Sequence, residues 1–390
     1  MAREIYITIY LYFFKMFFKF FNLFPLKEKI VFVITFGDNS RYIYEEIRKR
    51  SLKEEIVVLY KGSSYKHFLT ANQVQLIPFE SANIVHMIRS IYHLATSRFV
   101  LIDNYFGFLS ATDFKEEVEC IQLWHASGAI KKFGFVDEAT KYRSKRSQKR
   151  FSDVYKKFNK VIVGSDIMAN FFKQAFDLKD ENILKIGIPR TDFFFNRRMM
   201  EDAVNKLLKG NPVLSDKKKI LYAPTYREEG LAHFDLKLDI QKMYEELGDE
   251  YVILLRLHPA VKNSIDFPSL HPGFLYDYSS EDYVINELLL ISDYLITDYS
   301  SIPYEYSLLN KPMIFFAYDM EHYKKSRGLW EQYESTLPGP IVKSTTEVAK
   351  AIKDNEFDLQ AINKYAEVWN EYSKGYSSKN LVDYLFKKRV

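Results

Sequence analysis

The sequence predicts an α/β protein built from two successive, mainly parallel sheets, each covered by helices on both faces. Three observations carry this reading. Short apolar runs rich in β-branched and aromatic residues alternate with amphipathic stretches; the alternation stops at a charged segment near mid-chain and then restarts; and neither half contains low-complexity sequence or a short-period repeat. A chain of 390 residues with 47% hydrophobic and 27% charged content can bury two such cores. Its one cysteine, Cys120, excludes an internal disulfide framework, and no Cys/His cluster has zinc-like spacing, so a reducing compartment is expected. A net charge of +4 is small for this length and argues against a general nucleic-acid binder, so no nucleic-acid partner is expected.

The first element, residues 1–27, is a helix of unusual composition, aromatic and aliphatic almost throughout from Ile5 to Phe24. No small-residue cleavage site follows it, which argues against a signal peptide. A membrane span would have to hold Lys15 and Lys19, at a cost of roughly 2.5–3.5 kcal/mol each near its centre. Thr8, Tyr12, Lys15, Lys19 and Asn22 recur at intervals of four and three, forming one polar stripe on an otherwise apolar helix. That spacing favours a helix lying in the plane of a membrane surface, with burial in a dimer or a core as the alternative.

The first sheet, in a domain spanning 28–195, is expected from the runs Ile30–Phe36, Ile56–Tyr60, Val74–Phe79, Phe99–Asp103, Cys120–Trp124 and Val161–Gly164. Within it, Lys141–Arg150 gathers six cations in ten residues; Arg143, Lys145 and Arg146 there are candidates for contact with lipid headgroups or phosphates, a solvated helix face being the alternative. The boundary falls between Pro189–Asp192 and the charged helical stretch Asn196–Gly210. The second domain, 196–390, takes its strands from Lys219–Ala223, Val252–Arg256, Tyr294–Thr297 and Met313–Phe316. Open α/β sheets bind ligands beyond the carboxyl ends of their strands, so two facing domains predict a cleft lined by loops from both.

Polar clusters stand where strands should end. His125 follows the strand ending at Leu123 and precedes Ala126, Ser127, Gly128 and Ala129, small residues whose backbone could approach a phosphate closely. A hydrogen-bonded structural histidine is the alternative. Arg256 and His258 alternate with apolar neighbours and could present two donors to one side. Ser300 and Ser301 stand before a helix expected to run to Leu309, where serines serve either as N-caps or in an anion site; Glu305, one turn on, could accept from a polyol or ribose. Pro224 and Thr225 after the strand ending at Ala223, and Arg190 at the domain junction, complete the set. No GxxxxGK[ST], GxSxG or HExxH occurs. Together these residues suit a pyrophosphate-binding site in which histidines, arginines and a helix N-terminus serve as base and charge stabilisers.

Four segments, QLWHASGAIKKFG (Gln122–Gly134), LYAPTYRE (Leu221–Glu228), LRLHP (Leu255–Pro259) and LITDYSSIPYEYSLLNKPMIFFAYD (Leu295–Asp319), resemble in order and spacing the CDP-glycerol glycerophosphotransferase family. The IDNYF segment at Ile102–Phe106 and the Ala-Ser-Gly-Ala after His125 look like the priming branch of that family. The resemblance implies a GT-B-like fold, two Rossmann-type domains facing a cleft, preceded by an N-terminal amphipathic membrane-associating helix. It implies transfer of one glycerol phosphate from CDP-glycerol to an undecaprenyl-diphosphate-linked N-acetylmannosaminyl-N-acetylglucosamine disaccharide, with release of CMP and no cofactor or metal. The family's polymerase activity and a nucleotide-sugar glycosyltransferase of the same fold are the alternatives. The resemblance also makes His125 the general base and His258 the stabiliser of the transferring phosphate or departing CMP. Ala126, Ser127, Gly128, Ala129, Arg190, Pro224, Thr225, Arg256, Ser300, Ser301 and Glu305 become donor-binding residues. The implied partners are CDP-glycerol, the lipid acceptor and the cytoplasmic face of the cell membrane, with homo-oligomerisation left open.

Overall fold

A computed structural model describes residues 2–227, 236–258, 261, 269, 271–330 and 333–387. The chain forms two compact units. The first comprises Met1–Ala126, Phe133–Asp192 and Tyr372–Val390, the second Ser127–Lys132 and Phe193–Glu371. Three segments therefore fall outside the boundaries expected from sequence: residues 127–132 and 193–195 belong to the second unit, and Tyr372–Val390 belongs to the first.

The first unit holds seven parallel strands: β1 (Lys27–Ile34), β2 (Glu55–Tyr60), β3 (Val74–Pro78), β4 (Ser97–Ile102), β5 (Glu119–Gln122), β6 (Lys160–Val163) and β7 (Ile183–Lys185). Their order is β3-β2-β1-β4-β5-β6-β7. β1 is paired on both edges and buries its last six residues, which is why it reads as a continuous apolar run rather than an alternating one. Helix α2 (Asp38–Lys49) covers it with Ile43 and Ile47, one turn apart, and the C-terminal helix Ser377–Lys387 adds Leu381, Val382 and Leu385 to the same core.

The second unit repeats the plan with β8 (Lys218–Ala223), β9 (Tyr251–Leu255), β10 (Leu275–Asp277), β11 (Tyr294–Thr297), β12 (Met313–Phe316) and β13 (Ile341–Val342), in the order β10-β9-β8-β11-β12-β13. In both sheets the strand order reverses beside the first strand, between β1 and β4 and between β8 and β11. Such a switch point leaves a crevice at the carboxyl ends of the two strands, because their following loops diverge to opposite sides. The helix expected to reach Leu309 is shorter: Ile302–Tyr306 is α-helical, Ser307–Leu309 tightens into a 3-10 turn, and Asn310 ends it with φ 50°.

Helix α1 (Ala2–Phe21) packs on the first unit through aromatic contacts: Phe14 on Phe108 (5.3 Å), Phe18 on Phe114 (5.4 Å) and Phe21 on Tyr92 of α3 (Ile84–Ala95; 5.5 Å). The polar stripe stays at the surface, with Thr8, Tyr12, Lys15 and Lys19 all exposed. Asn22 donates to the Asp113 carbonyl (3.0 Å), Lys15 pairs with the Asp113 carboxylate (3.8 Å), and Thr8 accepts from Arg146 (3.4 Å), so the stripe borders the packed seam. Beside the stripe the apolar side chains of Ile5, Tyr6, Ile9, Phe13, Met16 and Phe20 are exposed as well. Among the described residues no helix is long and apolar enough to cross a membrane.

Candidate functional site

The loops at the carboxyl ends of the first sheet assemble around His125. Its neighbour Trp124 adopts φ 55°, a left-handed conformation costing a bulky residue about 1–2 kcal/mol. That backbone is held from both sides. Trp124 N–H donates to Gln122 Oε1 (2.8 Å), and its carbonyl accepts from Asn39 Nδ2 (2.9 Å). The turn delivers the His125 ring between Phe36 (centroids 4.3 Å apart, planes at 20°) and Trp124 (4.6 Å, 28°). His125 Nδ1 lies 3.2 Å from the Asp103 carbonyl oxygen. A carbonyl only accepts, so this bond assigns the proton to Nδ1 and leaves Nε2 as the basic nitrogen.

Asn39, buried beside this turn, also accepts from the Arg190 backbone N–H (3.0 Å), and the Arg190 guanidinium lies 3.9 Å from Asp38. Arg190 and Ala126 thus belong to the first unit with His125, while the other expected donor-binding residues lie in the second.

In the second unit the organising residue is Asp298. Its Oδ1 accepts from the N–H of Thr225 (2.8 Å) and of Tyr299 (2.7 Å), and its Oδ2 accepts from Arg227 (3.0 Å). Arg227 also grips both oxygens of Asp319 (2.9 and 3.0 Å) and lies over the rings of Tyr299, Tyr318 and Tyr323. One carboxylate therefore ties the loop after β8, which carries Pro224 and Thr225, to the loop after β11, which carries Ser300 and Ser301. The Thr225 hydroxyl is buried and finds no partner among the described residues. Ser300 Oγ accepts from Ile302 N–H (3.3 Å), and Ser301 makes no side-chain cap.

Residues 127–132 join this unit through side chains. Ser127 Oγ donates to Glu305 Oε1 (2.8 Å), and both residues are fully buried. At Gly128 an added Cβ would stand 2.5 Å from the Tyr304 ring, so close aromatic packing accounts for the glycine. The Tyr304 hydroxyl also reaches the Ala129 carbonyl (3.4 Å).

Arg256 Nη1 donates to the carbonyls of Tyr278 and Ser280, both at 2.6 Å, which fixes its guanidinium beyond β9. His258 packs on Tyr226, with ring centroids 4.6 Å apart. Its imidazole is held below its ordinary value, by desolvation first and then by the cations Lys131 and Arg256; because the residue remains exposed, the two cations are the firmer cause. His258 is consequently neutral at pH 7 and can donate or accept one proton-bearing contact.

The cationic segment meets the N-terminal helix. Arg146 reaches Thr8, Arg150 pairs with Glu4 (3.2 Å), and Arg143 lies 5.0 Å over the Phe151 ring, while Lys145 is exposed at the start of its helix. Sequence reasoning gave no individual role to Asp298, Arg227, Asp319, Asn39 or Asp103, although all but Asn39 lay inside a quoted segment; the position of the three aspartates after strand ends was the available signal.

A profile of the family described as CDP-Glycerol:Poly(glycerophosphate) glycerophosphotransferase matches residues 15–387. The teichoic acid glycerol-phosphate primase of Bacillus subtilis (strain 168) is 34% identical over 385 residues, 98% of each chain. The teichoic acid poly(ribitol-phosphate) polymerase of Bacillus spizizenii is 34% identical over 371 residues, covering 93% of this chain but 57% of that protein. Among solved structures, that of the wall teichoic acid polymerase TagF superposes with a TM-score of 0.82 at 26% identity, covering 100% of this chain and 98% of the solved one.

Proposed function

The chain belongs to the CDP-glycerol:poly(glycerophosphate) glycerophosphotransferase family, and from that premise we propose that it is the primase of teichoic acid synthesis. It moves a single glycerol phosphate from CDP-glycerol to the undecaprenyl-diphosphate-linked disaccharide. The 34% identity to a glycerol-phosphate primase, matched over 98% of each chain, supports this reading.

The observation that carries the chemistry is the 3.2 Å approach of His125 Nδ1 to the Asp103 carbonyl oxygen, an acceptor that calls for the proton on Nδ1 and leaves Nε2 to act as base. Nε2 takes the proton of the acceptor hydroxyl as that oxygen bonds to the phosphorus bearing glycerol; the bond from this phosphorus to the bridging oxygen breaks, and CMP leaves. His258 and Arg256 stabilise the charge on the transferring phosphate. Thr225, Ser300 and Ser301 hold the donor, with Pro224 shaping their loop, and Glu305 receives the glycerol hydroxyls with Ser127. Arg190 contributes positive charge on the side of His125.

The exposed apolar face of α1 and the adjoining cations Arg143, Lys145 and Arg146 form the surface by which the enzyme rests on the cytoplasmic face of the membrane, where the lipid acceptor lies. Mass analysis of products from CDP-glycerol and a short-chain disaccharide-diphosphate lipid tests the reading. One addition with CMP release, reduced to a small residual rate in His125→Ala, is expected. A ladder of additions assigns the chain to polymerisation, and no transfer from any CDP-alditol overturns the proposal.

A further inference from the structure

We propose that Asp103, the acidic residue of the IDNYF segment, is the positioning residue that holds His125 in its reactive orientation. The inference rests on the role of His125 as base, and it assigns work to a segment that the reaction otherwise leaves unused.

Asp103 is 1% exposed and ends β4 at the switch point of the first sheet. Its carboxylate collects three consecutive backbone N–H groups from the loop after β1: Thr35 to Oδ1 (2.9 Å), Phe36 to Oδ2 (2.9 Å) and Gly37 to Oδ2 (2.8 Å). The loop turns at Gly37 with φ 92°, a conformation that favours glycine. Phe36 is the residue whose ring stacks on His125. The main-chain carbonyl of the same Asp103 receives the His125 Nδ1–H.

One residue therefore sets two coordinates of the imidazole. Its carbonyl selects the tautomer, and its carboxylate fixes the turn whose phenyl ring sets the plane. Burial raises the Asp103 carboxyl to about 6, with the three N–H bonds opposing the shift, so the anion prevails at neutral pH. The energetic case for a buried carboxylate at this place is that a base displaced by about 1 Å from its proton can lose on the order of 100-fold in rate.

The test measures kcat and the KM for CDP-glycerol in Asp103→Asn and Phe36→Leu, each alone and in a His125→Ala background, using the same lipid acceptor. Asp103→Asn is expected to lower kcat about 100-fold and Phe36→Leu about tenfold, with the KM for CDP-glycerol within about twofold of the parent. In the His125→Ala background neither change should lower the residual rate by more than about twofold, because the residue they position is gone. Unchanged kcat in both single variants, a KM rising in step with the fall in kcat, or an equal proportional loss in both backgrounds overturns the proposal. Should Asp103→Asn fail to fold, Phe36→Leu decides by the same criteria. Undiminished transfer by His125→Ala refutes the base assignment itself, whereas an inactive His125→Ala beside two fully active single variants refutes only the positioning role.

Discussion

Replacing Arg227 by methionine removes the cation that three carboxylate oxygens share. The Asp298 side chain is 3% exposed and that of Asp319 is 19% exposed, while Arg227 itself is 22% exposed, so the pairs lie largely out of water. Against the lowering effect of burial, Asp319 and Asp298 hold the guanidinium well above the ordinary arginine value, a sign that its charge is strongly used. Removing one partner of a buried pair costs about 3–5 kcal/mol, mostly as the penalty of the charge left behind. Asp298 keeps two backbone N–H donors and Asp319 keeps the Tyr299 hydroxyl, which places the expected loss near the lower end, about 3 kcal/mol. For a unit of this size that is a fall in Tm of about 6–12 °C, measured by near-UV circular dichroism or calorimetry. Adding Asp298→Asn to Arg227→Met should recover part of the stability, because it removes the charge left behind. The loop holding Thr225 loosens with Asp298, so the KM for CDP-glycerol should rise more than kcat falls. A loss below about 1 kcal/mol would mean that solvent already screens the pairs and would refute the reasoning.

Two further outcomes follow from groups remote from the chemistry. Lys29 is buried against His93 Nδ1 (3.1 Å) and Thr96 Oγ1 (2.9 Å), and burial lowers its pKa from 10.5 to about 8. Between those values the unfolded chain binds more protons than the folded one, so stability rises with pH from about 8 to 10.5, by at most ~3 kcal/mol for this group. Urea unfolding of Lys29→Met across that window should lack the rise, and a curve parallel to the parent's refutes the assignment. On α1, Ile9→Glu with Phe13→Glu should abolish sedimentation with anionic vesicles while leaving Tm within about 2 °C, because both side chains are exposed. Undiminished vesicle binding removes the membrane role of that face.

The strands that could be read in the sequence are those whose both edges are paired, together with β3. β7, β10 and β13 escaped, and all three are edge strands two or three residues long. An edge strand buries too little to leave a continuous apolar run, and a sequence pattern sees burial rather than pairing. The α1 stripe shows a related limit. Periodicity groups Thr8, Lys15 and Asn22 in one stripe, but their partners Arg146 and Asp113 lie about 100 or more positions away and leave no local signal.

The site was legible as polar residues after strand ends and illegible as a network. Asp103 and Asp298 occupy corresponding places, each ending the strand beside the first strand of its sheet, and each accepts N–H groups from the loop following that first strand. Such a carboxylate has no local signature, because its partners lie 66 to 73 residues away in the chain. Ser127 and Glu305, separated by 178 residues, were each singled out as contacts for substrate, and their bond to one another could not be read from either motif.

The return of the chain to its first unit has a bearing on how the enzyme is made. Leu381, Val382 and Leu385 complete a core that Ile30, Phe32, Ile34, Ile43 and Ile47 begin, and Arg50 meets Asp383 at 2.6 Å. During synthesis the second unit can close once residue 371 has emerged, whereas the first, though started earlier, must wait with part of its apolar sheet cover missing. A stop codon a little before Ser377 would thus spare every residue assigned to catalysis and donor binding, yet strip His125 of the scaffold beneath it. The nascent first unit is therefore the segment for which chaperone protection during translation matters most.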